Sequence, residues 1–242
     1  MIRDCVFSQL TTYWASFFGC AADSFLTEPF QSVMHGGELT RYRGIYALFR
    51  EGNVIVSLPP SDCQAIDAVL PPQPWTPAAL AERFASAGFK VIGPAYIGYA
   101  EVNPGASTLA RELTELDIES GRDLQAACCN EEWSHGGCDV GNQPTSGVFV
   151  NGKLVSLSGY EIWGGVIAHL YVVTHPDFRG RGFGRDAVSH LIGRALAAGL
   201  ILQFRTLEVN TSAMSIAHSL GFEYFATSVA IRPGDENVEQ QS

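Results

Sequence analysis

Residues 170–184 read LYVVTHPDFRGRGFG. An apolar run of strand composition, 170–173, passes into a loop holding Gly180, Gly182 and Gly184, and residues 185–198 beyond it have helical spacing and no proline. A strand that feeds such a loop at the start of a helix builds an anion site. The glycines let backbone N–H groups converge on phosphate oxygens, the helix N-terminus adds a partial positive charge, and Arg179, Arg181 and Arg185 add full ones. The guest this predicts carries a diphosphate.

The spacing separates this loop from other phosphate cradles. It lacks the Lys-Ser/Thr ending of a P-loop, and glycines at 180, 182 and 184 do not fit the dinucleotide pattern G-x-G-x-x-G. On its own the loop also reads as a surface turn before a helix. Arg179-x-x-Gly182-x-Gly184 resembles the R/Q-x-x-G-x-G/A signature with which the GNAT superfamily of acyl-CoA-dependent N-acyltransferases holds the pyrophosphate of coenzyme A.

Composition bounds the rest. The chain has 242 residues, 46% of them hydrophobic, which is the make-up of a folded globular protein with one large domain or two small ones. No apolar run approaches the roughly 20 residues of a membrane span, and MIRDCVFSQL lacks the basic-then-apolar layout of a signal peptide. The expectation is a cytoplasmic protein with no membrane partner. Cys5, Cys20, Cys63, Cys128, Cys129 and Cys138 are scattered, which suits free thiols rather than a disulfide framework or a zinc site, and no metal is expected. A net charge of −10 speaks against a nucleic-acid partner and for a cationic substrate.

Residues 1–100 form an α/β region of their own. An aromatic-rich helix is expected over 6–18, strands over 31–35, 44–50 and 54–58, the last two joined by a Glu51-Gly52-Asn53 turn, then helices over 62–69 and 77–87 and a strand over 91–100. This region has no catalytic constellation, and reads as a lid or a diverged half-copy of the downstream fold. Residues 101–108 look like a junction. Next come a short strand, 109–113, a helical run from about Asp117 to Cys129, and a glycine-rich loop over 133–145. Residues 147–150 and 153–163 make a hairpin through Asn151-Gly152, a favoured type I′ pair, and Gly164-Gly165 reads as a second two-residue turn into 166–174. After the loop and its helix, 203–209 is a strand, 212–220 a helix closed by Gly221, and 222–232 a last strand; the polar tail 233–242 reads as disordered.

The order strand, helix, three strands, loop, helix, strand, helix, strand over 109–232 is the GNAT order. Asn210-x-x-Ala213 followed by Leu220-Gly221-Phe222 resembles a second family motif, N-x-x-A with a terminal G-F. The resemblance implies an α/β (α+β) fold of GNAT type: a mixed, mostly antiparallel sheet splayed at the cofactor strand, with an extra N-terminal α/β region. It further implies that the loop (Arg179, Gly180, Arg181, Gly182, Phe183, Gly184, Arg185) binds the diphosphate of acetyl-CoA. The pantetheine would run between strands ending near Val173 and Val209, paired with backbone groups of Val172, Val173 and Thr174. Asn210 would bond the cofactor, cap its helix, or both.

Acyl transfer needs an amine stripped of its proton and a thiolate that regains one. The strand position eleven residues before the signature, where many family members place a glutamate, is Ala168 here. Counting Gly164-Gly165 as the turn sets Glu161 across from Ala168, which makes Glu161 the candidate base; otherwise it is a solvated strand carboxylate. His169 would face the other way, as a core histidine. The family's tyrosine, seven residues after the motif asparagine, is replaced by Ala217, so Tyr224 is the candidate acid, with packing as its alternative. His175, before Pro176, is expected to shape the loop. The functions implied are an N-acetyltransferase acting on a small amine or, alternatively, a non-catalytic acyl-CoA sensor; on the residues alone, a module whose loop binds nothing also stands.

Overall fold

The computed structural model describes residues 2–60, 75–102, 105 and 107–233. The helix expected over 62–69 and the tail beyond Pro233 lie outside the described residues. In chain order the elements are α1 (Asp4–Phe18), β1 (Phe30–Met34), β2 (Ile45–Arg50), β3 (Asn53–Leu58), α2 (Pro77–Ser86), β4 (Lys90–Ala100) and β5 (Ala110–Glu112). After these come α3 (Ile118–Ala127), α4 (Asn130–Gly136), β6 (Thr145–Val150), β7 (Lys153–Trp163), β8 (Ile167–Thr174), α5 (Phe183–Ala197), β9 (Ile201–Leu207), α6 (Thr211–Ser219) and β10 (Glu223–Arg232). Among the described residues no helix is long and apolar enough to cross a membrane.

The chain divides into two compact units, and the division does not follow chain order. The first takes Met1–Ile97, Thr206–Val209 and Tyr224–Ser242; the second takes Gly98–Arg205 and Asn210–Glu223.

In the first unit the strands run β1-β3-β2-β10-β4. Glu51 (φ 51°) and Gly52 (φ 86°) make a two-residue turn that pairs Arg50 with Asn53. β1 lies parallel to β3, and β10 antiparallel to β2, with Thr227 opposite Phe49. Val6, Leu10, Trp14 and Phe18 recur every fourth residue and give α1 one buried stripe, and Gly19, at φ 72°, ends it in the left-handed conformation. α2 starts with Thr76 accepting from the Ala79 N–H (3.1 Å) ahead of Pro77, and its Leu80 and Phe84 pack on Phe49, Val54, Val56, Val229 and Ile231.

In the second unit the order is β9-β8-β7-β6-β5. β5 to β8 are antiparallel throughout, and β9 joins β8 in parallel, so this is the mixed, mostly antiparallel sheet the sequence implied. Asn151 and Gly152, both at positive φ, form the expected turn between Val150 and Lys153. A register shift between Val148 and Phe149 inserts one extra residue into β7, which lets Leu154 and Leu157 share a face. That face packs on Leu124, Cys128 and Cys138 from the α3–α4 side, while Val155 and Val148 meet Ala187 of α5 on the other.

Two expectations are corrected. Residues 130–136 are helix α4 rather than the first part of a loop: Glu132 accepts from the Cys129 N–H (3.4 Å) and closes a capping box. The second correction concerns register. Trp163 pairs with Ile167, so three residues rather than two form the turn, and Glu161 lies opposite His169, not Ala168. A shift of one residue exchanges the faces. Ala168, fully buried, belongs to the α5 face, and Glu161 shares the opposite face with His169 and Tyr171.

Candidate functional site

The loop is shaped from below by His175, which is buried with both ring nitrogens engaged: Nδ1 receives the Asp177 N–H (3.2 Å) and Nε2 lies 2.8 Å from Lys153 Nζ. Gly180 and Gly182 sit at φ 72° and 84°, and nothing among the described residues lies within 4 Å of where a side-chain carbon would project. Gly182 is the N-cap of α5, and no side chain caps the helix, so its first N–H groups stay open to an anion. Gly184 answers a different need: a Cβ there would come within 3.0 Å of Ile216, 3.1 Å of Thr174 and 3.5 Å of Val172, so only glycine brings the helix start this close to β8. A side-chain-free approach, open N–H groups and a basic loop are what a diphosphate requires, and these residues fit one.

The arginines differ in their engagements. Arg179 donates from Nε to the Thr174 carbonyl (3.2 Å) and from Nη2 to Glu132 on α4 (2.9 Å). Burial works against the charge of Glu132, yet the Arg179 hydrogen bond and charge, with the Cys129 contacts, hold its pKa below the ordinary value. Arg181 reaches the Asp177 carbonyl (3.3 Å) and lies over the Phe178 ring, and Arg185 is exposed on the first turn of α5. Asn210 accepts from the Ala213 N–H (3.1 Å), which is the cap expected of it.

Beside the loop the sheet opens. β8 and β9 pair only at Ile167–Ile201, Ala168–Leu202 and His169–Gln203; from Leu170 onward β8 has no partner in β9, although β9 continues past Phe204. The Tyr171 and Val173 carbonyls accept from the Ser158 and Ser156 hydroxyls and the Thr174 carbonyl from Arg179, so the stretch of edge left for an extended ligand centres on Leu170 and Val172. Val172 and Thr174 point to the α5 side; Tyr171 and Val173 point to the α3–α4 side.

Polar side chains gather where the two strands part. His169 Nδ1 lies 2.7 Å from Gln203 Oε1, and Gln203 Nε2 donates to the Tyr99 hydroxyl at 2.6 Å. With the amide oriented so, His169 carries its proton on Nδ1 and presents a lone pair at Nε2. Burial brings its pKa down to about 3, against the opposing Gln203 bond and with help from Arg205, so the ring is neutral. The Trp163 ring stacks on it at 3.8 Å and 14°, and Tyr171 meets it edge-on at 4.9 Å. Glu161, exposed at the rim, receives the Tyr171 hydroxyl (2.8 Å) and the Trp163 Nε1 hydrogen (3.4 Å) on the same oxygen, Oε2. Burial and the neighbouring Glu161 raise the pKa of Tyr171 well above the ordinary phenol value, and burial pushes the Cys138 thiol up to about 12. Among the described residues no group of three or more His, Cys, Asp or Glu is placed to hold a metal ion.

Thus β8, the loop and α6 bring Val172 to Arg185 and Asn210 into one unit, with Glu161 on the same sheet. Tyr224 belongs to the first unit, where its half-exposed ring lies against Tyr96 and its hydroxyl is 3.1 Å from that of Thr227, which donates to Glu208. Sequence reasoning missed Trp163, Tyr171, Gln203 and Tyr99. Alternation from His169 would have placed Tyr171 beside it, and Gln203 is the one polar residue in ILQF; Tyr99 gave no signal.

Residues 109–222 match the sequence model of the acetyltransferase (GNAT) family. Similar solved structures include a protein from Novosphingobium aromaticivorans described as an acetyltransferase of the GNAT family, at 21% identity over 73% of this chain and 82% of that one, TM-score 0.48. Another is a GNAT-family acetyltransferase from Colwellia psychrerythraea, at 15% over 60% and 57%, TM-score 0.47. A third, a protein from Salmonella typhimurium described as an acetyltransferase and solved with its cofactor acetyl-CoA, has 16% identity over 57% of this chain and 99% of that one, TM-score 0.40. No curated protein matches the sequence. With the family match, the antiparallel strands leading into an uncapped glycine loop, and a parallel neighbour that parts from β8 beside it, residues 109–222 are a GNAT-family acetyltransferase domain.

Proposed function

We propose that the protein is an N-acetyltransferase that moves the acetyl group of acetyl-CoA to a primary amine of a small acceptor. The observation that carries this reading is the parting of β8 from β9 after the His169–Gln203 rung, directly before the open N-terminus of α5. The loop would hold the diphosphate through the N–H groups around Gly180–Gly184 and the charges of Arg181 and Arg185. The edge of β8 around Val172, Val173 and Thr174 would pair with the pantetheine amides and orient the thioester, and Asn210, which uses only its Oδ1 for the cap, keeps its amide nitrogen for a cofactor contact.

In the reaction the amine nitrogen forms a bond to the acetyl carbon, the carbon–sulfur bond breaks, the nitrogen loses a proton and the sulfur regains one. The amine must arrive neutral. His169, neutral with a pKa of about 3, is a poor base, and Glu161 Oε2 already accepts two hydrogen bonds, so solvent at this face is the proton's destination.

A second reading, an acyl-CoA-binding sensor without turnover, is favoured by one observation: Ala168 and Ala217, where the family's base and acid would stand, are both fully buried and inert. Release of free CoA thiol from acetyl-CoA with a panel of amines separates the two. The enzyme releases thiol with at least one amine; the sensor binds CoA in calorimetry and releases none. Absence of CoA binding would overturn both.

A further inference from the structure

The face shared by Glu161, Trp163, His169 and Tyr171 has a uniform chemical character. Glu161 Oε2 is taken by Tyr171 and Trp163, while its Oε1 has no partner among the described residues. His169 Nδ1 is committed to Gln203, and Nε2 of this ring, which is only 7% exposed, is likewise without a partner among the described residues. The outward atoms of these four side chains are acceptors, an anionic oxygen, an imidazole lone pair and the faces of two aromatic rings, and Arg205 is the cation close enough to bear on His169. Such a set draws a cation that carries N–H groups and repels an anion. A net charge of −10 favours the same guests at longer range.

Placement says which nitrogen the patch would hold. The reacting amine has to reach the gap between β8 and β9, whereas Glu161 stands on β7, on the far side of β8. With neighbouring strands about 4.8 Å apart, the Glu161 backbone lies roughly 7 Å from the midline of that gap. A nitrogen held at the β7 side of this face and one attacking the thioester in the gap are thus separated by about the length of a four- or five-carbon chain.

We propose that Glu161, with Trp163 and Tyr171 beside it, is the specificity site for a second, protonated nitrogen of the acceptor, so that the substrates are diamine-like: one ammonium is held at Glu161 while the other nitrogen, neutral, is acetylated. The inference rests on the N-acetyltransferase reading and gives Glu161 a binding role in place of the base expected from a two-residue turn. His169 is a positioning residue in it: Gln203 and Tyr99 fix the tautomer that supports the Trp163 ring and offers a lone pair.

The test compares 1,4-diaminobutane and 1,5-diaminopentane with butylamine, on the wild-type chain and on Glu161→Gln and Glu161→Lys. Because Glu161 is exposed, both variants keep the fold, which circular dichroism checks. Wild type should show a KM for a diamine at least tenfold below that for butylamine; Glu161→Gln should erase this preference with kcat changed less than threefold, and Glu161→Lys should reverse it. Calorimetry of 1,4-diaminobutane against the CoA-loaded protein should give binding that Glu161→Gln loses. Turnover of butylamine as good as that of the diamines in wild type, or a diamine preference that survives Glu161→Gln, overturns the proposal while leaving the acetyltransferase reading intact. Turnover of no amine with diamine binding still dependent on Glu161 overturns that reading and keeps the cation site.

Discussion

At the scale of single residues, backbone conformation and buried charge make the sharpest demands. Gly182 sits at φ 84° with open space around it, so Gly182→Val meets no clash but must hold a β-branched residue at positive φ, a strain of about 1–3 kcal/mol. Either the loop shifts or the side chain stands where phosphate must approach. Calorimetry should find CoA binding lost in a folded Gly182→Val protein, and unchanged affinity would remove the loop from the cofactor site. His169 gives a pH signature. Its folded-state pKa of about 3 lies below the ordinary histidine value of about 6.5, so as pH falls the unfolded chain takes up the proton first. Its contribution opposes folding increasingly from about pH 6.5 down toward pH 3 and is absent above that window. Urea midpoints over this range should decline less steeply for His169→Gln than for wild type; parallel declines would mean that the ring is not held neutral.

At the scale of elements, hydrogen bonds at the ends of helices and strands set the fine positions. Asp117, where the chain turns into α3, receives Arg111 from β5 at 2.6 and 2.9 Å and the Thr114 N–H at 2.9 Å. The Arg111 hydrogen bond, against burial and with the Thr114 contacts, brings its pKa to about 2. A carboxylate depressed in the folded state stabilises above its unfolded pKa of about 3.9 and ceases to do so as pH falls through about 2. Asp117→Asn should therefore lose about 1–2 kcal/mol at neutral pH, since Arg111 is half exposed, and the loss should vanish near pH 2 in acid unfolding curves. Strands and helices with clear periodicity, such as β2, β3, β7 and α5, were legible in the sequence because local chemistry decides them. Helix α4 was not, because its Cys129–Glu132 cap is an unusual pairing set among glycines that read as loop. The Gly164-Gly165 turn was misread for a related reason: glycine permits both lengths, and the choice of three residues falls to the burial of Ala168 against α5 rather than to the turn itself. The glycine loop at the start of α5 was legible as a loop between strand and helix, the face around Glu161 and His169 hardly at all, since it is assembled from β4, β7, β8 and β9 and depends on register.

At the scale of the whole molecule, chain order and spatial grouping diverge. The first unit is completed by Thr206–Val209 and by β10, whose Val229 and Ile231 enter a core otherwise made by residues 45–84. A fragment lacking residues 1–97 would leave β10 with an unpaired edge where β2 should lie and with those side chains uncovered. Such a fragment should aggregate on expression although the GNAT match starts at residue 109, and a soluble, CoA-binding fragment would refute the dependence. Arg50 at the end of β2 donates to the Phe225 carbonyl across 175 residues of sequence. Ribosomes add about 5–20 residues per second, so the β2–β3 hairpin waits on the order of 10–40 s after its own synthesis before its neighbour in the sheet exists. During that interval one flank of a strongly apolar hairpin has no mate, and for most of it the Arg179–Gly184 loop has itself yet to be translated.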